Sequence, residues 1–224
     1  MTTHQGLADW RRPDYARSWH DHDVLQDMLA FPRRVAAALI GHDATPKTVI
    51  DVASGPGAFL EVFLDAFPDS HGVWTDGSPA MRELAVEPLA RFGDRVEYHI
   101  AEMTDLSGIG APHRADVLLT SRASHHLDAE GLTRFYAEVA DRLRPGGWLV
   151  NLDHIAPDAG WDRRYRAVRA QFTGTRPGRT SHEHPFPPPS LDTQLRTLSA
   201  AGFEDVDIAW KAFGTVLIMG RSGH

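Results

Sequence analysis

The 224-residue sequence contains no cysteine, which removes disulfides, thiolate nucleophiles and zinc–thiolate centres together. That fits a reducing compartment. No run of 18 apolar residues occurs, and residues 1–12 hold no basic region followed by an apolar stretch, so neither a membrane span nor a secretory leader is expected. Basic charge is in deficit: 23 Lys+Arg stand against 30 Asp+Glu, a formal −7, so the surface as a whole repels phosphate backbones and anionic lipid. The expectation is a cytoplasmic protein, monomer or homodimer, without nucleic-acid or membrane partners. What is present is ordinary: 42% hydrophobic residues, 24% charged, 19 Gly and 15 Pro suit a soluble globular chain with a sizeable core. At ~150 residues per domain, the length favours one domain carrying an elaboration.

From Val49 onward, apolar runs of strand length alternate with segments of helical period, which predicts repeated β-α units and a mostly parallel, doubly wound sheet. Strands are expected at residues 48–52, 71–75, 95–100, 116–120 and 147–153. Helices are expected at 56–67, 79–91 and 128–143, the last with Asp128 as its N-cap. The tail alternates Val206, Ile208 and Trp210 with polar or small residues, then a very short link leads to residues 215–219. So short a link permits only antiparallel pairing. Two segments fall outside this rhythm. Residues 1–45 read as a helical cap in which Pro32 breaks or restarts a helix. Residues 156–190, rich in Arg, His and Pro, suit a long lid over the sheet's rim, inserted in a domain spanning 46–224.

The stretch VIDVASGPGAF, residues 49–59, is a hydrophobic strand running into a Gly-rich turn that opens a helix. Gly55 and Gly57 remove Cβ atoms that would keep a ligand off the backbone, and the helix N-terminus behind them offers N–H groups to an anionic end. An acid about 20 residues later, at the tip of the second strand, holds a ribose diol in such sites. Asp76 stands 21 residues after Gly55. A dinucleotide fingerprint would place a third Gly where Leu60 stands, and Asp51 lies inside the motif, so the turn favours a nucleoside with an amino-acid tail.

Several ordered motifs carry a resemblance. DVASGPG (51–57), DGSPAM (76–81), AEMTDL (101–106), LLTSRASHHLD (118–128), LRPGGWLVNLD (143–153) and the tail 190–221 together resemble a class I S-adenosylmethionine (SAM)-dependent methyltransferase. The resemblance implies a Rossmann-like α/β sheet, mostly parallel with an antiparallel last strand, and SAM as cofactor. It implies Asp51 behind the methionine end, Ala53, Gly55 and Gly57 bordering the cofactor, and Asp76, Gly77, Ser78 and Met81 around the ribose and adenosine. Glu102 would meet the exocyclic amine, the Met103 backbone a ring nitrogen, and Ser121 the rim. Ala53 and Ser54 depart from the commoner Gly or Cys, which would alter packing at the methionine end.

Methyl transfer is an in-line displacement whose reactivity resides in the cofactor, so protein groups align the nucleophile and manage its proton. Catalytic candidates follow the fourth and fifth strands: His125 or His154 as base and Arg122 as orienting group. Tyr15, Trp19, His126, Asp153, Trp161 and Tyr165 are expected to line an acceptor pocket. His182, Glu183 and His184 invite a metal reading, but adjacent residues rarely converge on one ion, and no metal is expected. The implied activity is transfer of a methyl group to oxygen, nitrogen or carbon of a small-molecule acceptor. Two alternatives keep the same cofactor site: other SAM chemistry, such as carboxy-SAM formation or cyclisation, and a non-catalytic SAM-binding subunit.

Overall fold

Four of the five residues of the first strand, β1 (Thr48–Val52), are buried, as a strand covered on both faces requires. The computed structural model describes residues 23–109, 114–173 and 187–223. Preceding β1 is helix α1 (Asp23–Asp43). After β1 come α2 (Ala58–Ala66), β2 (His71–Asp76), α3 (Pro79–Leu89), β3 (Val96–Ile100), β4 (Ala115–Ser121), α4 (Ala129–Arg142) and β5 (Leu143–His154). Helices α5 (Ala159–Thr173) and α6 (Leu191–Ala200) then lead to β6 (Phe203–Ala212) and β7 (Thr215–Ser222).

The seven strands lie in the order β3-β2-β1-β4-β5-β7-β6. Neighbours from β3 to β5 pair in parallel, whereas β7 runs antiparallel to both β5 and β6. This is the Rossmann-like arrangement, mostly parallel with an antiparallel last strand, expected from the sequence. The chain winds outward from β1 to β3, then crosses to β4, so the order reverses between β1 and β4. At such a reversal the loops leaving the strand ends diverge and open a crevice. One apolar cluster packs α1, α2 and α3 residues such as Ile40, Phe63 and Leu89 on one face. A second packs Leu132, Phe135 and Val139 of α4 with Leu198 of α6 on the other.

Helix ends follow local chemistry. Asp128 accepts from the Gly131 N–H at 2.7 Å, as its position before α4 predicts, and Ser78 and Ser190 cap α3 and α6 in the same way. Gly57 heads α2 at φ 85°, and a Cβ there would sit 2.7 Å from a Leu89 methyl carbon. Strain and overlap act together at this position, so Gly57→Ala should cost about 2 to 4 kcal/mol of stability in a denaturant titration. A midpoint unchanged from wild type would show that the loop relaxes freely.

Two expectations are corrected. Pro32 does not break α1, which continues through it to Asp43. Pro32 is buried, and Leu29, Arg33, Ala36 and Ile40 keep one face of the helix packed, which offsets the missing hydrogen bond. The fifth strand begins at Leu143 rather than 147, because Leu143 pairs with Ala115 before a bulge containing Gly146 (φ 71°) rejoins the ladder at Trp148. The segment read as a long lid contains the 15-residue helix α5 and is pinned at its base by an Ala156–Ser190 bridge. Residues 1–22 of the helical cap and 174–186 of the lid, with Tyr15, Trp19, His182, Glu183 and His184, lie outside the described residues. No described helix is long and apolar enough to cross a membrane.

Candidate active site

The turn after β1 is built around a carboxylate beneath it. Asp51 is 1% exposed, and its Oδ2 accepts from the Ser54 hydroxyl at 2.6 Å and the Leu60 N–H at 3.2 Å. Its Oδ1 meets no donor among the described residues. Burial pushes this carboxyl up to about 7, against the two hydrogen bonds and the nearby Arg33 guanidinium. The buried Arg33, contributed by α1, is itself lowered to about 10 by burial, with Asp51 and Glu61 opposing. Ala53 takes φ 53° and Gly55 φ 55°, so the chain doubles back within three residues. Gly is at home there; Ala53 is strained.

Asp76, at the end of β2, faces that turn. Its Oδ2 accepts from the Gly55 N–H at 2.9 Å and its Oδ1 from the Ser78 N–H at 2.8 Å, which ties two loops to one carboxylate. A carboxylate has about four acceptor positions, so one lone pair on each oxygen remains for a vicinal diol. Burial raises Asp76 to about 6, eased by those two N–H groups and reinforced by the charge of Glu102. A Cβ on Gly77 would lie 2.7 Å from the Glu102 carboxylate, so the bare backbone lets the two acids share one small space. An acidic cradle of this kind suits a ligand carrying ribose hydroxyls and positive charge.

The neighbouring strand ends bear the histidines. His125 lies in a single helical turn, Ser124–His126, that follows β4 and is wholly buried. The His125 Nδ1 is 2.5 Å from Asp153 Oδ1, and its backbone N–H donates to Asp153 Oδ2 at 2.9 Å. Asp153 also accepts from the Ser124 hydroxyl at 2.6 Å and the His154 N–H at 2.7 Å. Burial alone would raise its pKa; the charges of His125 and His154 and these hydrogen bonds overcome it and hold the carboxyl well below the usual range. His126 stacks on His125 with ring centres 4.1 Å apart, and His154 meets His125 edge-on at 5.1 Å.

This geometry has counterparts. Residues 49–147 match the family described as methyltransferase domain. That match covers 99 of the 224 residues. Among curated proteins, the 3-amino-4-hydroxybenzoate 4-O-methyltransferase of Streptomyces cremeus is 33% identical over 110 residues, 49% of this chain and 29% of that protein. The ribosomal RNA small subunit methyltransferase H of Chlamydia abortus is 34% identical over 101 residues, 44% of this chain and 34% of that protein. The chain thus spans about a third of the length of these relatives. Among solved structures, the 1,6-didemethyltoxoflavin-N1-methyltransferase of Burkholderia thailandensis, crystallised with its substrate and S-adenosylhomocysteine, superposes with TM-score 0.67. It is 20% identical, over 100% of this chain and 92% of that one, a likeness of fold.

The residues singled out in sequence lie at different depths in the site. Gly55, Asp76, Gly77, Glu102 and Ser121 lie along the rim of the β1, β2, β3 and β4 ends, with Ala53 in the turn itself and Gly57 buried at the head of α2. Asp51, Ser78, Met81 and Met103 are buried beneath it, with Ser78 committed to capping α3. Arg122 leaves β4 at φ 56° with its N–H donating to Leu152. His126 and Asp153, expected to line an acceptor pocket, are instead 7% and 1% exposed, because the turn after β4 folds back onto β5. His154 is half-buried and lines a cleft of about 110 Å³ with Pro157, Asp162, Tyr165, Arg166, Phe213 and Gly214. Trp161 stands beside it, 5.5 Å from Tyr165 and 54% exposed. Sequence reasoning missed Phe213 and Gly214, which sit in the β6–β7 turn and reach the cleft only through the insertion of β7 beside β5. Among the described residues no cluster of three His, Asp or Glu could hold a metal ion.

Charge burial at these strand ends predicts an unusual pH response. Asp51 and Asp76 are raised above their unfolded values, so their stability contribution is complete below about pH 4 and is lost as pH climbs through about 6 to 7. Asp153 is depressed, so its contribution holds above about pH 4 and is lost on further acidification. Wild type should therefore gain stability relative to Asp51→Asn when pH is lowered from 8 to about 4.5. Urea midpoints of the two proteins that track each other across this range would remove Asp51 from the account.

Proposed function

We propose that the protein transfers a methyl group from SAM to an oxygen or nitrogen of a small-molecule acceptor, as an enzyme of the general methyltransferase class. The observation that carries this reading is the adjacency of the acidic cradle at Gly55, Asp76 and Glu102 to the His125–Asp153 pair on the next strand ends. The residues present fit SAM: Asp76 retains acceptor positions for a ribose diol, Gly77 leaves the backbone bare beside Glu102, and the acids oppose a sulfonium and an ammonium. SAM, when bound, supplies an electrophilic methyl group. The chain's own residues hold it and manage the acceptor. Asp76 would grip the ribose and Glu102 the adenine edge, with Asp51 anchoring the turn from behind.

The acceptor would enter beside His154, against Tyr165, Trp161 and Phe213, in a wall supplied by the 156–190 insertion. The N-terminal cap, residues 1–45, would complete the enclosure of the domain formed by 46–224. His125, with Nδ1 committed to Asp153, would take the acceptor's proton as methyl is transferred. A net negative sequence and an aromatic-walled cleft favour a small aromatic acceptor over RNA. Mass spectrometry of ligand carried through purification, followed by a screen for S-adenosylhomocysteine release with phenolic and heteroaromatic acceptors, tests the reading. Methylated product with equimolar S-adenosylhomocysteine supports it. An altered cofactor without methylated acceptor would replace it with other SAM chemistry.

A further inference from the structure

Behind His125 and Asp153 lies an unbroken chain of buried side chains that reaches two further places in the fold. Ser124 precedes His125, Asn151 lies two residues before Asp153 on β5, Tyr136 comes from α4, and Gln194 comes from α6. All four are 0% exposed. The Tyr136 hydroxyl donates to Gln194 Oε1 at 2.5 Å and accepts from Asn151 Nδ2 at 2.8 Å. The second amide hydrogen of Asn151 goes to Ser124 Oγ at 3.0 Å, and Ser124 donates to Asp153 Oδ2 at 2.6 Å.

Each direction in this chain is forced by the next. Because Ser124 accepts from Asn151, its own proton is left for the carboxylate. Because Tyr136 also accepts from Asn151, its proton goes to Gln194. Asp153 then receives four donors: the Ser124 hydroxyl, the backbone N–H groups of His125 and His154, and the His125 ring. Four donors fill its acceptor positions. A carboxylate so filled and ionised can only accept, so His125 Nδ1 must carry the ring proton and Nε2 becomes the basic nitrogen.

Stability alone does not explain this chain. Gln194 Nε2 and Asn151 Oδ1 are buried without partners among the described residues, and apolar side chains of similar shape would avoid that cost. We propose that Tyr136, Asn151, Ser124 and Gln194 are positioning residues that act through Asp153 to fix the orientation and tautomer of His125. The assignment rests on the reading of His125 as the proton acceptor, but its test does not require turnover.

The experiment is nitrogen-15 NMR of histidine-labelled full-length protein, which reads the tautomer of His125 from its two ring nitrogens. Wild type should show a single Nδ1–H form. Tyr136→Phe, which deletes one oxygen, should give a mixture with at least about a fifth of the other tautomer, because Asn151 is then free to turn and release Ser124, and the Asp153 carboxylate, no longer held by that hydroxyl, swings off Nδ1 for part of the time. Ser124→Ala should do the same by cutting the last link, and Gln194→Met, at the helix end, is read in the same way should either fail to fold. Folded variants that keep the wild-type tautomer would overturn the proposal and leave the chain a structural tie. A His125→Gln enzyme with full methyl-transfer rate would overturn the base assignment alone.

Discussion

Exchange of Asp153 for asparagine should lower the single-turnover rate of methyl transfer by about 10²- to 10⁴-fold while leaving SAM affinity within about threefold. The carboxylate is 2.5 Å from His125 Nδ1 and its acceptor positions are filled by the Ser124 hydroxyl, the His125 and His154 N–H groups and that ring, so on the proposed reading it acts through the imidazole. An asparagine amide can donate to Nδ1, which moves the ring proton to Nε2 and leaves that nitrogen without a lone pair to take a proton. Removing the imidazole itself, by His125→Gln, should cost the same range, and the double variant should cost little more, because on the proposed reading the two residues serve one proton transfer. Rapid-quench measurement at saturating SAM and acceptor reads this directly. Single variants that lose rate independently, with multiplicative effects in the double variant, would separate the two residues; full activity in both would leave alignment alone as the source of catalysis.

Replacing Asp76 by alanine should weaken SAM binding by about 100- to 1000-fold. Two effects combine. The ribose would lose a charge-assisted partner for its diol, and the loops bearing Gly55 and Ser78 would lose the carboxylate that joins them at 2.9 and 2.8 Å. Asp76→Asn separates the contributions, since its amide retains one acceptor for one of the two N–H groups but lacks the charge. Calorimetry should therefore rank wild type, Asn and Ala in falling order of affinity. Alanine binding SAM as tightly as wild type would move the ribose elsewhere, and with it the assignment of the cradle.

The order of elements, the Gly-rich turn, the acid at the end of the second strand and the antiparallel tail were all legible in the sequence. Each is a local property. Strand and helix periods are set by neighbours a few residues apart, the turn by glycines at φ values other residues resist, and Asp76 by its place at the end of β2. Even the antiparallel sense of β7 follows from a link too short for a crossover. The continuity of α1 through Pro32 was not legible, because propensity cannot register the burial of Leu29 and Ile40 that outweighs the proline.

Tertiary structure alone decided which polar groups meet. His125 and Asp153 are 28 residues apart, and Tyr136 and Gln194 are 58. Nothing in their local spacing distinguishes a partner of a buried carboxylate from a residue lining a pocket, and the sequence reading placed Asp153 and His126 on the wrong side of that line. A hydrogen bond depends on tenths of an ångström and on direction. Hydrophobic patterning tolerates far more, so a one-dimensional pattern can specify the sheet and its faces. The insertion of β7 between β5 and β6, which carries Phe213 and Gly214 to the cleft beside His154, is fixed only when the packed layers choose among the pairings that the pattern permits.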